Sequence, residues 1–151
     1  MQLHSDWIDL LRALSVAGAK YLVVNAAALS YHGHPRGTGD FDVWVDATPE
    51  NALRVHEALS MFGAPMDQLT IADLEHDDTV WMIGVVPLRV DILTGIDGVR
   101  FDEDWARRTY LKLGDLEIPI ISKEDLIRNK RAAGRPKDLL DLDALESDSR
   151  L

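Results

Sequence analysis

The sequence predicts an α+β domain built on a mixed β-sheet with helices packed on it. Segments with helical spacing alternate with short apolar runs, in the order helix, strand, helix, strand, helix, several strands, then two helices. Gly, Pro and cap residues mark the breaks between them. The chain has 151 residues, 46% apolar and 28% charged, which suits a single domain, 1–151, with a core of its own.

Each element has a local reason. Between Asp6 and Ala17 the apolar residues Trp7, Ile8, Leu10, Leu11 and Leu14 recur at helical spacing, with Ser5 or Asp6 as cap and Gly18 as terminator. Tyr21 to Val24 is short and β-branched, a buried strand. A short helix from Ala26 to His32 closes at Gly33, and His34 to Gly39 is a loop with Pro35 and two glycines as breakers. The strand around Asp40 and Asp42 follows. Thr48 caps the next helix, and Pro49 takes its first position, where a missing N–H does no harm. Thr79 to Val85 and Leu88 to Leu93 read as strands joined at Pro87, and Phe101 to Arg108 as a short helix or turn. Leu111 to Leu113 and Glu117 to Ile121 are strands around a Gly114-Asp115 turn. Ser122 caps a helix from Lys123 to Ala133, with Asp125 placed to reach back to the cap. Gly134-Arg135-Pro136 breaks it before a last helix, Lys137 to Leu145.

Composition removes several classes of function. There is no cysteine, so disulfides, zinc–thiolate sites and thiol catalysis are out, which fits a cytoplasmic protein. The N-terminal residues lack the cationic and apolar pattern of a signal peptide. The longest stretch without Asp, Glu, Lys or Arg, Tyr21 to Pro35, is too short and polar for a bilayer, which needs about 20 apolar residues. The net charge of −10 argues against non-specific nucleic-acid binding. Lys123 to Lys137 nonetheless carries six basic and two acidic residues, a local +4 that suits either a directed anion site or a solvated helix face.

The chemistry-bearing segment is Gly39-Asp40-Phe41-Asp42-Val43-Trp44-Val45. A strand repeats every two residues, so Asp40 and Asp42 project from one face, roughly 6.5–7 Å apart along the backbone. Two carboxylates on a face normally given to a core are costly unless a cation lies between them. A hard divalent ion such as Mg²⁺ takes carboxylate oxygens and keeps positions for water and phosphate. The plainer alternative is the solvent side of an edge strand. Asp91, in Leu88-Arg89-Val90-Asp91-Ile92-Leu93, is a third carboxylate in an apolar strand. Were the two strands adjacent, three acids would converge into a cradle for metal ions in phosphoryl or nucleotidyl transfer. By alternation Trp44 falls on the aspartate side, where core packing or base stacking would use it.

These residues carry a resemblance. Tyr21 to Leu29, then His32-Gly33-His34-Pro35-Arg36-Gly37-Thr38-Gly39-Asp40-Phe41-Asp42, resembles the polymerase-β-type nucleotidyltransferase superfamily. It is most similar to minimal bacterial members related to nucleotidyltransferases of toxin–antitoxin systems. The C-terminal stretches Ile120 to Ile127 and Lys130 to Asp141 are also similar to the tail of these proteins. The resemblance implies transfer of a nucleoside monophosphate from an NTP to a hydroxyl on RNA, protein or a small molecule, with Mg²⁺ or Mn²⁺. It implies that Asp40, Asp42 and Asp91 bind the metals and are catalytic, and that Asn25, Ala26, Arg36, Thr38 and Lys130 bind the nucleotide. Lys137, Asp138 and Asp141 would lock the last helix into the fold. Such a small chain implies help from a second subunit or a cognate partner protein. One departure stands out: Asn25-Ala26 replaces the family's Gly-Gly or Gly-Ser, where glycine allows close approach to phosphate. A second reading therefore stays open, a non-catalytic nucleotide-binding or protein-interaction module, including half of a toxin–antitoxin pair.

Overall fold

The computed structural model describes residues 3–35, 40–85 and 87–148. Thirteen elements follow one another: α1 (Ser5–Val16), β1 (Tyr21–Val23), α2 (Asn25–Tyr31), β2 (Asp40–Val45), α3 (Pro49–Phe62), α4 (Ile71–Leu74), β3 (Val80–Ile83), β4 (Arg89–Leu93), α5 (Phe101–Ala106), β5 (Thr109–Leu113), β6 (Leu116–Ile120), α6 (Lys123–Ala133) and α7 (Pro136–Ser147). The strands form one mixed sheet in the order β3-β4-β2-β1-β6-β5. Strand β2 runs antiparallel to β1 and parallel to β4, and β1 runs parallel to β6. The expected α+β class with a mixed sheet is what forms.

Caps explain most of the boundaries. Thr48 accepts the Asn51 N–H with Pro49 behind it, and Ser122 accepts the Asp125 N–H at 3.1 Å. Two local expectations are corrected, and one element is added. Helix α1 is capped by His4, whose Nδ1 accepts the Asp6 N–H at 3.1 Å, rather than by Ser5 or Asp6. The Asp125 carboxylate does not close a capping box on the Ser122 N–H; its strongest partner is the Arg107 guanidinium, Nη2 at 2.9 Å and Nε at 3.0 Å. Helix α4, one turn long, was not foreseen; a reciprocal Thr70–Asp73 capping box holds it.

The core lies along the β2–β1 centre of the sheet. Leu10, Leu11 and Leu14 of α1 pack with Val55, Ala58 and Leu59 of α3, all fully buried. Phe41 is buried under Trp7, ring centroids 4.8 Å apart and nearly parallel. On the C-terminal side α6 packs on α7 and also touches α2. The β4–α5 loop is drawn onto α6 at Gly98, which has φ +78°; a Cβ there would stand 2.3 Å from the Ala132 Cβ. Only glycine fits both constraints. Asn129 fixes the same loop by donating to the Asp97 carbonyl at 3.0 Å.

Candidate active site

Strand register assembles the site. Strands β2 and β4 pair in parallel with Asp40 opposite Arg89 and Asp42 opposite Asp91. Phe41, Val43 and Val45 point into the core, so the aspartates take the other face. That face is a cleft as far as Asp42. At Trp44 it becomes core, because the Phe101 ring meets the indole edge-on at 5.0 Å. Trp44 thus packs on Phe101 and shows only an edge to the neighbouring cavity. One carboxylate oxygen each from Asp40, Asp42 and Asp91 lies within 4.8 Å of the others.

The triad has a defined set of partners. Asn25 Nδ2 donates to Asp42 Oδ2, while Asp42 Oδ1 is buried with no hydrogen-bond partner among the described residues. Burial raises the Asp42 pKa above the ordinary carboxylate value; the Asn25 bond opposes this, and Asp91 and Asp40 add to it. A buried, unbonded oxygen beside two more carboxylates fits a hard divalent cation, whose ligands are anionic oxygens. Arg89 bridges the other two acids: Nη2 donates to Asp40 Oδ2 at 2.9 Å and to Asp91 Oδ2 at 3.2 Å, and Nε donates to Asp91 Oδ1 at 3.1 Å.

The other expected nucleotide contacts divide. Asn25 lies at the cleft with φ +55°, the left-handed region that glycine or asparagine tolerates. Asparagine therefore supports the backbone turn at this position. Ala26 is 8% exposed and packs inside α2. Lys130 is 1% exposed, with Nζ 3.4 Å from Asp138 Oδ1, from Asp141 Oδ2 and from Asn25 Oδ1. In this structure Lys130, expected at the nucleotide, joins α6 to α7 and reaches Asn25 at the cleft. Arg36 and Thr38 lie outside the described residues. Lys137, expected to lock the last helix, is exposed, lines the cleft and forms no ion pair among the described residues. Asp138 and Asp141 do the locking.

Two residues escaped the sequence reading. Arg89 shares a face with Asp91 by i, i+2 alternation, a signal present in Arg89-Val90-Asp91. Arg135 lines the cleft while bonding Asp138 through Nε at 2.6 Å. The cleft holds about 490 Å³ and adjoins a cavity of about 610 Å³ across Gly95, Ile96 and Asp97. Asp46, Asp77, Asp78 and Asp102 also line that second cavity, with Arg100. His32 and His34 turn away from the triad, to the Ile121 carbonyl at 2.9 Å and to Asp148 at 2.7 Å.

No protein-family model matches the sequence, and no curated protein matches it significantly. Solved structures do match in fold. A Thermotoga maritima protein assigned to the nucleotidyltransferases superposes with TM-score 0.59 at 15% identity, over 97% of this chain and 96% of its own. The lincosamide antibiotic adenylyltransferase LnuA, with lincomycin bound, superposes with TM-score 0.60 at 15% identity, over 96% and 97%. The chain has the fold of these nucleotidyltransferases.

Proposed function

We infer that the protein is a metal-dependent nucleotidyltransferase, acting as one domain on an NTP and a hydroxyl-bearing acceptor. The observation that carries this reading is the convergence of Asp40, Asp42 and Asp91 on one face of β2 and β4, with Asp42 Oδ1 left without a hydrogen-bond partner among the described residues. Mg²⁺ or Mn²⁺, held by these three carboxylates, would supply charge neutralisation at the triphosphate and at the attacking oxygen. The acceptor oxygen forms a bond to Pα, the Pα–O–Pβ bond breaks, and pyrophosphate leaves. Asp91 would receive the acceptor's proton, and Lys137 and Arg135, which line the cleft, would hold phosphate oxygens. Asn25 fixes the orientation of Asp42, and Lys130 fixes Asn25.

The adjoining cavity gives the acceptor room beside the triad. Its five aspartates against Arg100 repel a polyanion, so an uncharged or cationic acceptor suits that wall better than RNA. Among the described residues no helix is long and apolar enough to cross a membrane. NTP and Mg²⁺ are both plentiful in the cytoplasm, which is where we place the reaction.

Asn25 favours a second reading, a nucleotide-binding module without turnover, including one member of a toxin–antitoxin pair. Its amide lies over the carboxylate that the reaction needs. One experiment separates the readings: transfer of label from α-labelled NTPs with Mg²⁺ or Mn²⁺, over protein, RNA and small-molecule acceptors, with wild type and Asp42→Asn. Label transferred by wild type alone supports the enzyme and identifies its acceptor class. A melting shift with NTP but no transfer to any acceptor supports the module.

A further inference from the structure

Arg89 occupies the oxygens that a metal ion would need. Its fork engages both carboxylate oxygens of Asp91 and, through Nη2, Asp40 Oδ2. Asp91 is almost fully buried, so a bidentate guanidinium there is a strong, poorly screened contact. The Arg89 side chain itself is 31% exposed and lines the cleft, so it has solvent to move into. Register brings the three side chains to one face: Asp40 faces Arg89 across the β2–β4 pair, and Asp91 follows Arg89 on the same face. Two of the three carboxylates are thus bridged by a cation of the chain's own, while Asp42 Oδ1 has no hydrogen-bond partner among the described residues.

We propose that Arg89 is a built-in counter-ion that competes with the divalent cation for Asp40 and Asp91, so that metal entry displaces its guanidinium from the triad. The inference rests on the metal-binding part of the function above. In the metal-free protein Arg89 relieves repulsion between the acids; with metal present that task ends. Removing Arg89 therefore acts in opposite directions on the two states. It destabilises the metal-free fold and tightens metal binding. A residue that merely oriented the carboxylates for metal would have the opposite effect on affinity.

The test is Mn²⁺ binding by the full chain, followed by the paramagnetic signal of free Mn²⁺ without any nucleotide, together with melting temperature with and without the ion. Arg89→Met is expected to bind Mn²⁺ about tenfold more tightly than wild type, to melt lower without metal, and to gain more on adding it. Arg89→Lys keeps the charge but loses the fork, so it too is expected to bind more tightly than wild type. Unchanged or weaker binding by Arg89→Met overturns the proposal. So does wild-type affinity in Arg89→Lys, which would reduce the effect to charge at a distance. Absence of Mn²⁺ binding from both wild type and Arg89→Met would instead remove the metal reading itself. Should Arg89→Met fail to fold, Arg89→Lys and Arg89→Gln carry the same comparison.

Discussion

Asn25 and Asp42 decide the local chemistry through a single hydrogen bond. Asn25 holds φ +55°, a conformation that costs an alanine about 1 kcal/mol and glycine nothing. Asn25→Gly should therefore preserve the turn while removing the donor on Asp42. The expected outcome is an unchanged melting temperature within about 2 °C, weaker Mn²⁺ binding, and easier approach of triphosphate, read as a lower KM for NTP. A large loss of stability would mean that the amide serves the fold instead of the site. The aspartates are not equivalent either. Burial disfavours the charged form of Asp42, whereas Asp40 is bonded to Arg89. Without metal, Asp42→Asn should raise the melting temperature by about 2–4 °C, because an amide has no charge to desolvate and can still accept from Asn25. Asp40→Asn should lower it or leave it unchanged. Equal destabilisation by both would show that the carboxylates are structural.

At the scale of elements, what the sequence revealed was whatever obeys local rules. The β2 alternation, the Thr48 and Ser122 caps and the Gly134 break depend on neighbours within four residues, so they were legible. The third carboxylate was legible only in part, since Asp91 signals itself but its pairing with Asp42 is a register between strands about fifty residues apart. Arg89 was legible in part as well: its place beside Asp91 is a local alternation, but its bond to Asp40 lies across the strand pair. Asp125 satisfied a capping pattern, yet Arg107 from α5 outbid that weak local bond with a charged one. The enclosure of Lys130 was not legible, because a basic residue on a helix reads as solvent-facing or ligand-facing and its partners Asp138 and Asp141 lie on α7. Among the described residues Lys130→Met leaves Asp138 with Arg135 as its one cationic partner and removes the nearby ammonium from Asp141, so the fold should lose about 3–5 kcal/mol. Urea denaturation measures this. A loss of activity with full stability would restore Lys130 as a ligand contact. By contrast, exposed Lys137→Ala should leave stability within about 0.5 kcal/mol and weaken NTP binding.

For the molecule as a whole, charge and burial set opposing pH dependences. Asp104 is fully buried, and its pKa is pushed up to about 7 by burial first and then by the neighbouring Asp125. Burial likewise raises Asp42 and Asp46. A carboxyl raised in the fold binds its proton more tightly there than when unfolded, so its contribution is fully present below about pH 4. It is lost as pH rises through the folded value, up to about 7 for Asp104. Asp125, Asp138 and Asp148 run the other way. For Asp125 and Asp138 burial works against the charged form, but the bonds to Arg107 and Arg135 prevail and hold their pKa values low; Lys123 does the same for Asp148. Their contribution is present above about pH 4 and disappears as pH falls through those depressed values. The formal net charge of −10 adds self-repulsion at neutral pH that shrinks towards the pI of about 4.8. All three effects place the stability maximum on the acid side of neutral, and the metal-free protein should melt several degrees higher near pH 5.5 than at pH 8. Asp104→Asn keeps an acceptor for Arg107 and removes the titration, so it should raise the melting temperature at pH 8 by about 2–5 °C, do little at pH 5, and flatten the profile between. Divalent metal at pH 8 should narrow the remaining gap by neutralising the triad. A metal-free profile that rises steadily from pH 5 to 8, and is unaltered by Asp104→Asn, would show that Asp104 is charged in the folded protein and that the nearby cations Arg107 and Arg128, which favour its charged form, outweigh its burial.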